Sequence, residues 1–104
     1  MFDSIKTLLG IGPKTDYAKL VKAGAVIIDV RSRSEYDSGH IRGSINIPVD
    51  QLRSNFNKLK DKNKPIITCC ASGMRSASAK AMLKASGYSE VYNGGSWGSL
   101  QSKL

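Results

Sequence analysis

Apolar positions change their period several times along the chain, and each change marks an element. In residues 2–9 they fall at 2, 5, 8 and 9, the spacing of a short amphipathic helix, and Gly10, Gly12 and Pro13 end it. Thr15 stands as the N-cap of a helix over 16–23, with Gly24 placed to terminate it. Residues 25–30 are an apolar run broken only by Asp29, the pattern of a central strand buried on both faces. A helical turn over 32–38 and a short strand over 44–47 follow. Asp50 is then the expected N-cap of a helix carrying Leu52, Phe56 and Leu59 on one face. Residues 65–69 read as a second buried strand, and 76–86, rich in Ala, Met, Leu and Lys and closed by Gly87, as a helix. A last short strand over 90–92 and a helix from 96 onward complete the pattern.

Strands alternating with helices predict an α/β fold, with a central parallel sheet and helices on both faces. Ligands of such sheets bind beyond the carboxyl ends of the strands, which directs attention to the end of the strand over 65–69.

At 104 residues the chain is expected to form a single domain, with 1–13 as an N-terminal helix and turn. Its net charge of +8 raises the possibility of a nucleic-acid or anionic-membrane surface. The lysines are scattered, however, and the densest run, Lys58, Lys60, Lys62 and Lys64, alternates with other residues as either a solvated face or a docking patch. No element interleaves aromatic with basic residues, so no specific nucleic-acid partner is expected; the field instead favours small anionic substrates. The two cysteines, Cys69 and Cys70, are adjacent and would close a strained ring, so both are expected reduced. With no secretory pattern at the N-terminus and no apolar run of membrane-spanning length, the expectation is a cytoplasmic protein.

The chemistry-bearing stretch is Cys70-Ala71-Ser72-Gly73-Met74-Arg75-Ser76, between a strand and a helix. A cysteine facing a helix N-terminus meets unpaired N–H groups and the positive end of the aligned peptide dipoles, which favour the thiolate. Gly73 can take the positive φ that turns those amides inward. Arg75 adds a permanent charge and a planar fork of donors suited to an oxyanion or to the outer sulfur of a persulfide, and Ser72 and Ser76 can add hydroxyl donors. Cys69, by alternation, points to the other face, as a core residue or an auxiliary redox partner.

Five pieces, in order, resemble the rhodanese homology domain: Ile28-Asp29-Val30-Arg31; Glu35-Tyr36 with Gly39-His40-Ile41-Arg42-Gly43-Ser44; Asn46-Ile47-Pro48; Cys70 to Ser76; and Gly94-Gly95. They cover roughly residues 15–97. The resemblance implies a three-layer α/β domain in which Cys70 is the nucleophile and Ala71, Ser72, Gly73, Met74, Arg75 and Ser76 bind the substrate. It implies a sulfurtransferase that takes a sulfane sulfur from thiosulfate or another persulfide donor as a Cys70 persulfide and passes it to cyanide or a thiol, with no metal or organic cofactor. Asp29 and Arg31 are expected to pair and hold a neighbouring loop, and Glu35 and His40 to fix loops by hydrogen bonds. The resemblance also separates reactions: four residues lie between Cys70 and Arg75, as in sulfurtransferase members, whereas related phosphatases and arsenate reductases have one more.

Two departures bear on the partner. Residues 71–74 carry no charge, and the chain stops seven residues after Trp97, which leaves the expected site open to a protein thiol acceptor. A persulfide carrier or docking module with little small-molecule turnover is therefore the alternative to an enzyme. A monomer is expected in either case.

Overall fold

Four parallel strands form one sheet in the order β2-β1-β3-β4: β1 (Val26–Asp29), β2 (Ile45–Asn46), β3 (Ile66–Cys70) and β4 (Val91–Ser96). The computed structural model describes residues 15–104, so the helix expected over 2–9 lies outside the described residues. Alternation along the two central strands sorts the core. Ile28, Ile66 and Cys70 face Leu52, Leu59, Ala79 and Leu83, while Ile27, Ile67 and Cys69 face Ile41 and Leu100, with Leu20 and Trp97 packed alongside. The first face is covered by α3 (Met74–Ala85) and by two 3₁₀ segments, Val49–Gln51 and Arg53–Lys58. The second face is covered by α1 (Tyr17–Lys22) and α4 (Trp97–Gln101), and α2 (Arg33–Ser38) joins β1 to β2. The result is the expected three-layer α/β architecture with helices on both sides of a parallel sheet. Each fully buried Ile or Leu of the central strands and α3 contributes about 1.5–3 kcal/mol of burial. Among the described residues no helix is long and apolar enough to cross a membrane.

The helix expected over 76–86 begins two residues earlier, at Met74, and three further features differ from the sequence expectation. Asp16, not Thr15, caps α1: its carboxylate accepts the Lys19 N–H at 3.0 Å, so the helix begins at Tyr17. Asp50 caps nothing and sits inside the first 3₁₀ segment, which follows Pro48. There the N–H groups of Gln51, Leu52, Asn55 and Leu59 all reach back three residues, to Pro48, Val49, Leu52 and Phe56. The Ser54 hydroxyl and the Asn55 amide both donate to the Gln51 carbonyl, competing with the helical ladder, which explains why the segment stays 3₁₀ while still burying Leu52 and Leu59. β4 runs past residue 92 to Ser96 because the pairing continues through two glycines. Thr68 pairs with Asn93 and Cys70 with Ser96, leaving one extra residue on β4, a bulge. A Cβ on Gly94 would lie 2.9 Å from the Thr68 carbonyl oxygen, and Gly95 has φ +78°, so side chains are disfavoured at both positions.

Candidate functional site

Cys70 is the last residue of β3, on the face that α3 covers. Gly73, at φ +98°, reverses the chain so that α3 starts at Met74, and its own N–H then points at the Cys70 Sγ from 2.9 Å. The Ser76 N–H approaches the same sulfur at 3.4 Å. Thr68 donates to the Ser76 carbonyl at 2.9 Å and so ties the first turn of α3 to β3 two residues before the sulfur. Cys70 is fully buried, and burial by itself raises a thiol. Hydrogen bonds from the Ser76 side chain and from the N–H groups of Ser76, Gly73 and Ser72 together outweigh it, and the Cys70 thiol lies below its ordinary value.

A hydroxyl network supports the turn. Ser76 Oγ lies 3.4 Å from Sγ and 2.6 Å from Asn93 Oδ1, and the Gly95 N–H donates to that Oδ1 at 3.0 Å. Because Oδ1 is the acceptor of an N–H, the Ser76 hydroxyl donates to it, and Ser76 Oγ is left to accept from a protonated Cys70. Ionisation of Cys70 therefore favours rotation of the Ser76 proton from Asn93 onto sulfur.

An inward-facing thiol between a strand and a helix, with a Gly-Gly bulge beside it, matches a known domain. A family model described as the rhodanese-like domain matches residues 14–98. The chain belongs to the rhodanese-like domain family. It is similar to the Bacillus subtilis protein YqhL, 40% identical over 66% of this chain and 54% of that one, so it spans about half the length of that relative. It is 36% identical to an Enterobacter tRNA uridine(34) hydroxylase, over 73% of this chain but only 23% of that protein. The thiosulfate sulfurtransferase GlpE of Pseudomonas fluorescens is 35% identical, over 71% of this chain and 67% of GlpE. Among solved structures, a rhodanese with anions from Escherichia coli is similar with a TM-score of 0.70 and 32% identity, over 73% of this chain and 91% of that one. Relatives of this rhodanese-like domain thus include sulfurtransferases.

The Arg75 guanidinium forms a two-point pair with Glu35, Nη1 to Oε1 at 2.7 Å and Nη2 to Oε2 at 3.0 Å. The cause is a carboxylate already fixed in place. Ser32 and Glu35 form a capping box at the start of α2, which orients the Glu35 carboxylate as a planar partner for the guanidinium fork. Arg75, with the Ser32 N–H and hydroxyl, holds the Glu35 carboxyl down to about 2. Ser72 acts on the sulfur through its N–H, one of the groups that lower the Cys70 thiol. Ala71, Ser72 and Met74 form an exposed rim, with Met74 78% exposed.

Asp29 and Arg31 pair on the other face of the sheet. Arg31 Nη2 lies 2.8 Å from Asp29 Oδ2 and donates to the Gly39 carbonyl at 2.6 Å, while Nη1 donates to the Glu35 carbonyl at 3.3 Å. The Trp97 ring lies under the guanidinium, 4.8 Å from its centroid. This arrangement fastens α2 and the turn after it to the end of β1. His40 packs on Tyr36 with centroids 3.7 Å apart and its Nδ1 lies 2.7 Å from the Tyr36 carbonyl. Cys69 shares its face with Asp29; burial first, then the Asp29 charge, pushes its thiol up to about 12. Sequence reasoning overlooked Asn93. Its position directly before Gly94-Gly95 was the available signal, and the structure pairs it with Thr68 on the strand that carries Cys70.

Proposed function

We propose that this rhodanese-like domain is a sulfurtransferase whose Cys70 carries the sulfur. One observation supports it above the others: the Gly73 and Ser76 N–H groups converge on a sulfur at a strand end, and its thiol is lowered despite burial. In the first half-reaction the Cys70 thiolate attacks the sulfane sulfur of thiosulfate or a persulfide. A new S–S bond forms, the donor's S–S bond breaks, and sulfite or a thiolate departs with the electron pair. In the second, cyanide or a thiolate attacks the outer sulfur, and Cys70 leaves as thiolate. The same amides that favour the thiolate stabilise it again as leaving group. Ala71, Ser72 and Met74 are the rim that yields to admit the donor, and Arg75 meets an anionic donor by exchanging Glu35 for it.

A carrier that delivers sulfur to a protein thiol is the second reading. The uncharged rim and the exposed Met74 favour it, as does an Arg75 already engaged by Glu35. Incubation with thiosulfate, or with a small persulfide, followed by intact mass measurement tests both readings: a gain of one sulfur is expected, reversed by cyanide. No gain with either donor excludes them. Rapid steady-state formation of thiocyanate identifies the enzyme; loading without turnover identifies the carrier.

A further inference from the structure

A cavity of about 600 Å³ opens between the start of α2, the 3₁₀ segments and Arg75, the one residue of the stretch 70–76 that lines it. This size matches sites for small organic ligands. Its charged lining is Arg33, Lys58 and Arg75 against Asp50 alone, with Asn46 and Gln51 as neutral polar groups. The three cations are not equivalent. Arg75 spends both terminal nitrogens on Glu35, and Arg33 pairs with Asp37 only through Nε, at 2.9 Å, which leaves its terminal nitrogens for other partners. Lys58 takes part in none of the ion pairs found among the described residues.

Arg33 is also poorly sited for helix stability. It is the first residue of α2, where the helix dipole favours an anion, and its partner Asp37 lies four residues on, the weaker orientation for such a pair. Its placement makes better sense as a wall of the cavity. Continuity with the reacting sulfur comes through Arg75, which belongs to both the cavity lining and the Cys70 turn, and through Val30, which shares a core cluster with Cys70.

We propose that this groove seats the sulfur acceptor, a small thiol bearing carboxylate or phosphate groups that rest on Lys58 and the free end of Arg33. The inference rests on the sulfurtransferase reading. The acceptor's thiolate attacks the outer sulfur of the Cys70 persulfide; the new S–S bond forms on the acceptor, the bond to Cys70 Sγ breaks, and that electron pair stays on Cys70.

The test compares acceptors on protein whose loading with one sulfur has first been verified by mass, so that a failure to load counts against the reaction and not against the groove. Glutathione and its diethyl ester differ in their carboxylates, and coenzyme A brings phosphates instead. Glutathione is expected to have a KM about fivefold below its ester, the upper range for an exposed ion pair, and the gap should close at high salt. A similar advantage for coenzyme A would assign phosphate as well as carboxylate to the seat, whereas none would restrict it to carboxylates. Lys58→Glu should erase the preference through KM, while Lys103→Glu, the same charge change at the far end of the chain, should keep it. Equal KM values for glutathione and its ester in the parent protein, or a preference that survives Lys58→Glu, overturn the proposal.

Discussion

Cys69 and Cys70 are consecutive residues of β3, and both are 0% exposed, yet their thiols are driven in opposite directions. Burial raises each of them. On the Cys69 side it is joined by the Asp29 carboxylate, only partly offset by Arg31, and the thiol reaches about 12. On the Cys70 side the N–H groups of a helix start and a serine hydroxyl meet the sulfur and reverse the sign. The difference teaches that a fold lowers one of two equally buried thiols by the direction of its backbone donors and not by exposure. A strand delivers neighbouring side chains to opposite faces, and only one face ends at a helix N-terminus.

The largest effect follows from substituting the two in turn. Cys70→Ser should abolish sulfur loading, measured by intact mass, while Cys69→Ser should retain most of it. Equal loss in both would collapse the distinction and point to a dithiol mechanism. Next in size is the polar pair beneath Cys69. Asp29→Ala leaves the 4% exposed Arg31 buried without its carboxylate and should destabilise the domain by about 3–5 kcal/mol in urea unfolding. It should also bring the Cys69 thiol down, since Asp29 is one of the groups raising it. A loss below about 1 kcal/mol would mean that the Gly39 and Glu35 carbonyls hold the guanidinium without it.

What could be read from the sequence was what is local. The thiol, the glycine turn and the helix start lie within seven consecutive residues, so strand alternation and helix-end electrostatics were enough to place the Cys70 sulfur where the Gly73 and Ser76 N–H groups reach it. The layer order was legible for the same reason: Val26 to Asp29 and Ile66 to Cys70 are too continuously apolar for anything but central strands. The pair between Arg75 and Glu35 escaped because the two lie 40 residues apart, and nothing local says that a capping box will present a carboxylate there. Asn93 escaped because its contact with Ser76 spans 17 residues and depends on a bulge. The glycines that make the bulge look like breaks in a strand, yet at Gly94 Thr68 and Leu100 approach too closely for a side chain, and Gly95 takes a positive φ.

The hydroxyl network offers a finer division on the Cys70 side. Ser76→Ala removes the largest contribution lowering this thiol, so the midpoint of its alkylation with pH should move up. Asn93→Ala should move it down, because the Ser76 proton no longer has Oδ1 at 2.6 Å and turns to the thiolate. Opposite signs from two residues in one network would identify Asn93 as a positioning residue. Shifts of the same sign would show that Asn93 serves only to hold the turn through Gly73 and Gly95.

The smallest effect concerns Glu35, whose side chain is 37% exposed and therefore screened by solvent. Its carboxyl lies at about 2 in the folded chain, below its ordinary value of about 4.3. A folded value below the unfolded one means that the pair with Arg75 contributes its full stability above the ordinary carboxyl range and loses it as the pH falls through about 2. Stability of the parent chain should accordingly drop more steeply with acid in that window than that of Glu35→Gln, and the carboxyl carbon of Glu35 should titrate near its lower end. Parallel slopes, with Glu35 titrating as an ordinary carboxyl, would free Arg75 from its partner and return it to the sulfur side of the turn. In that event Glu35→Gln would leave thiosulfate loading unchanged, whereas a guanidinium held by Glu35 predicts faster loading once the carboxylate no longer competes with the incoming anion.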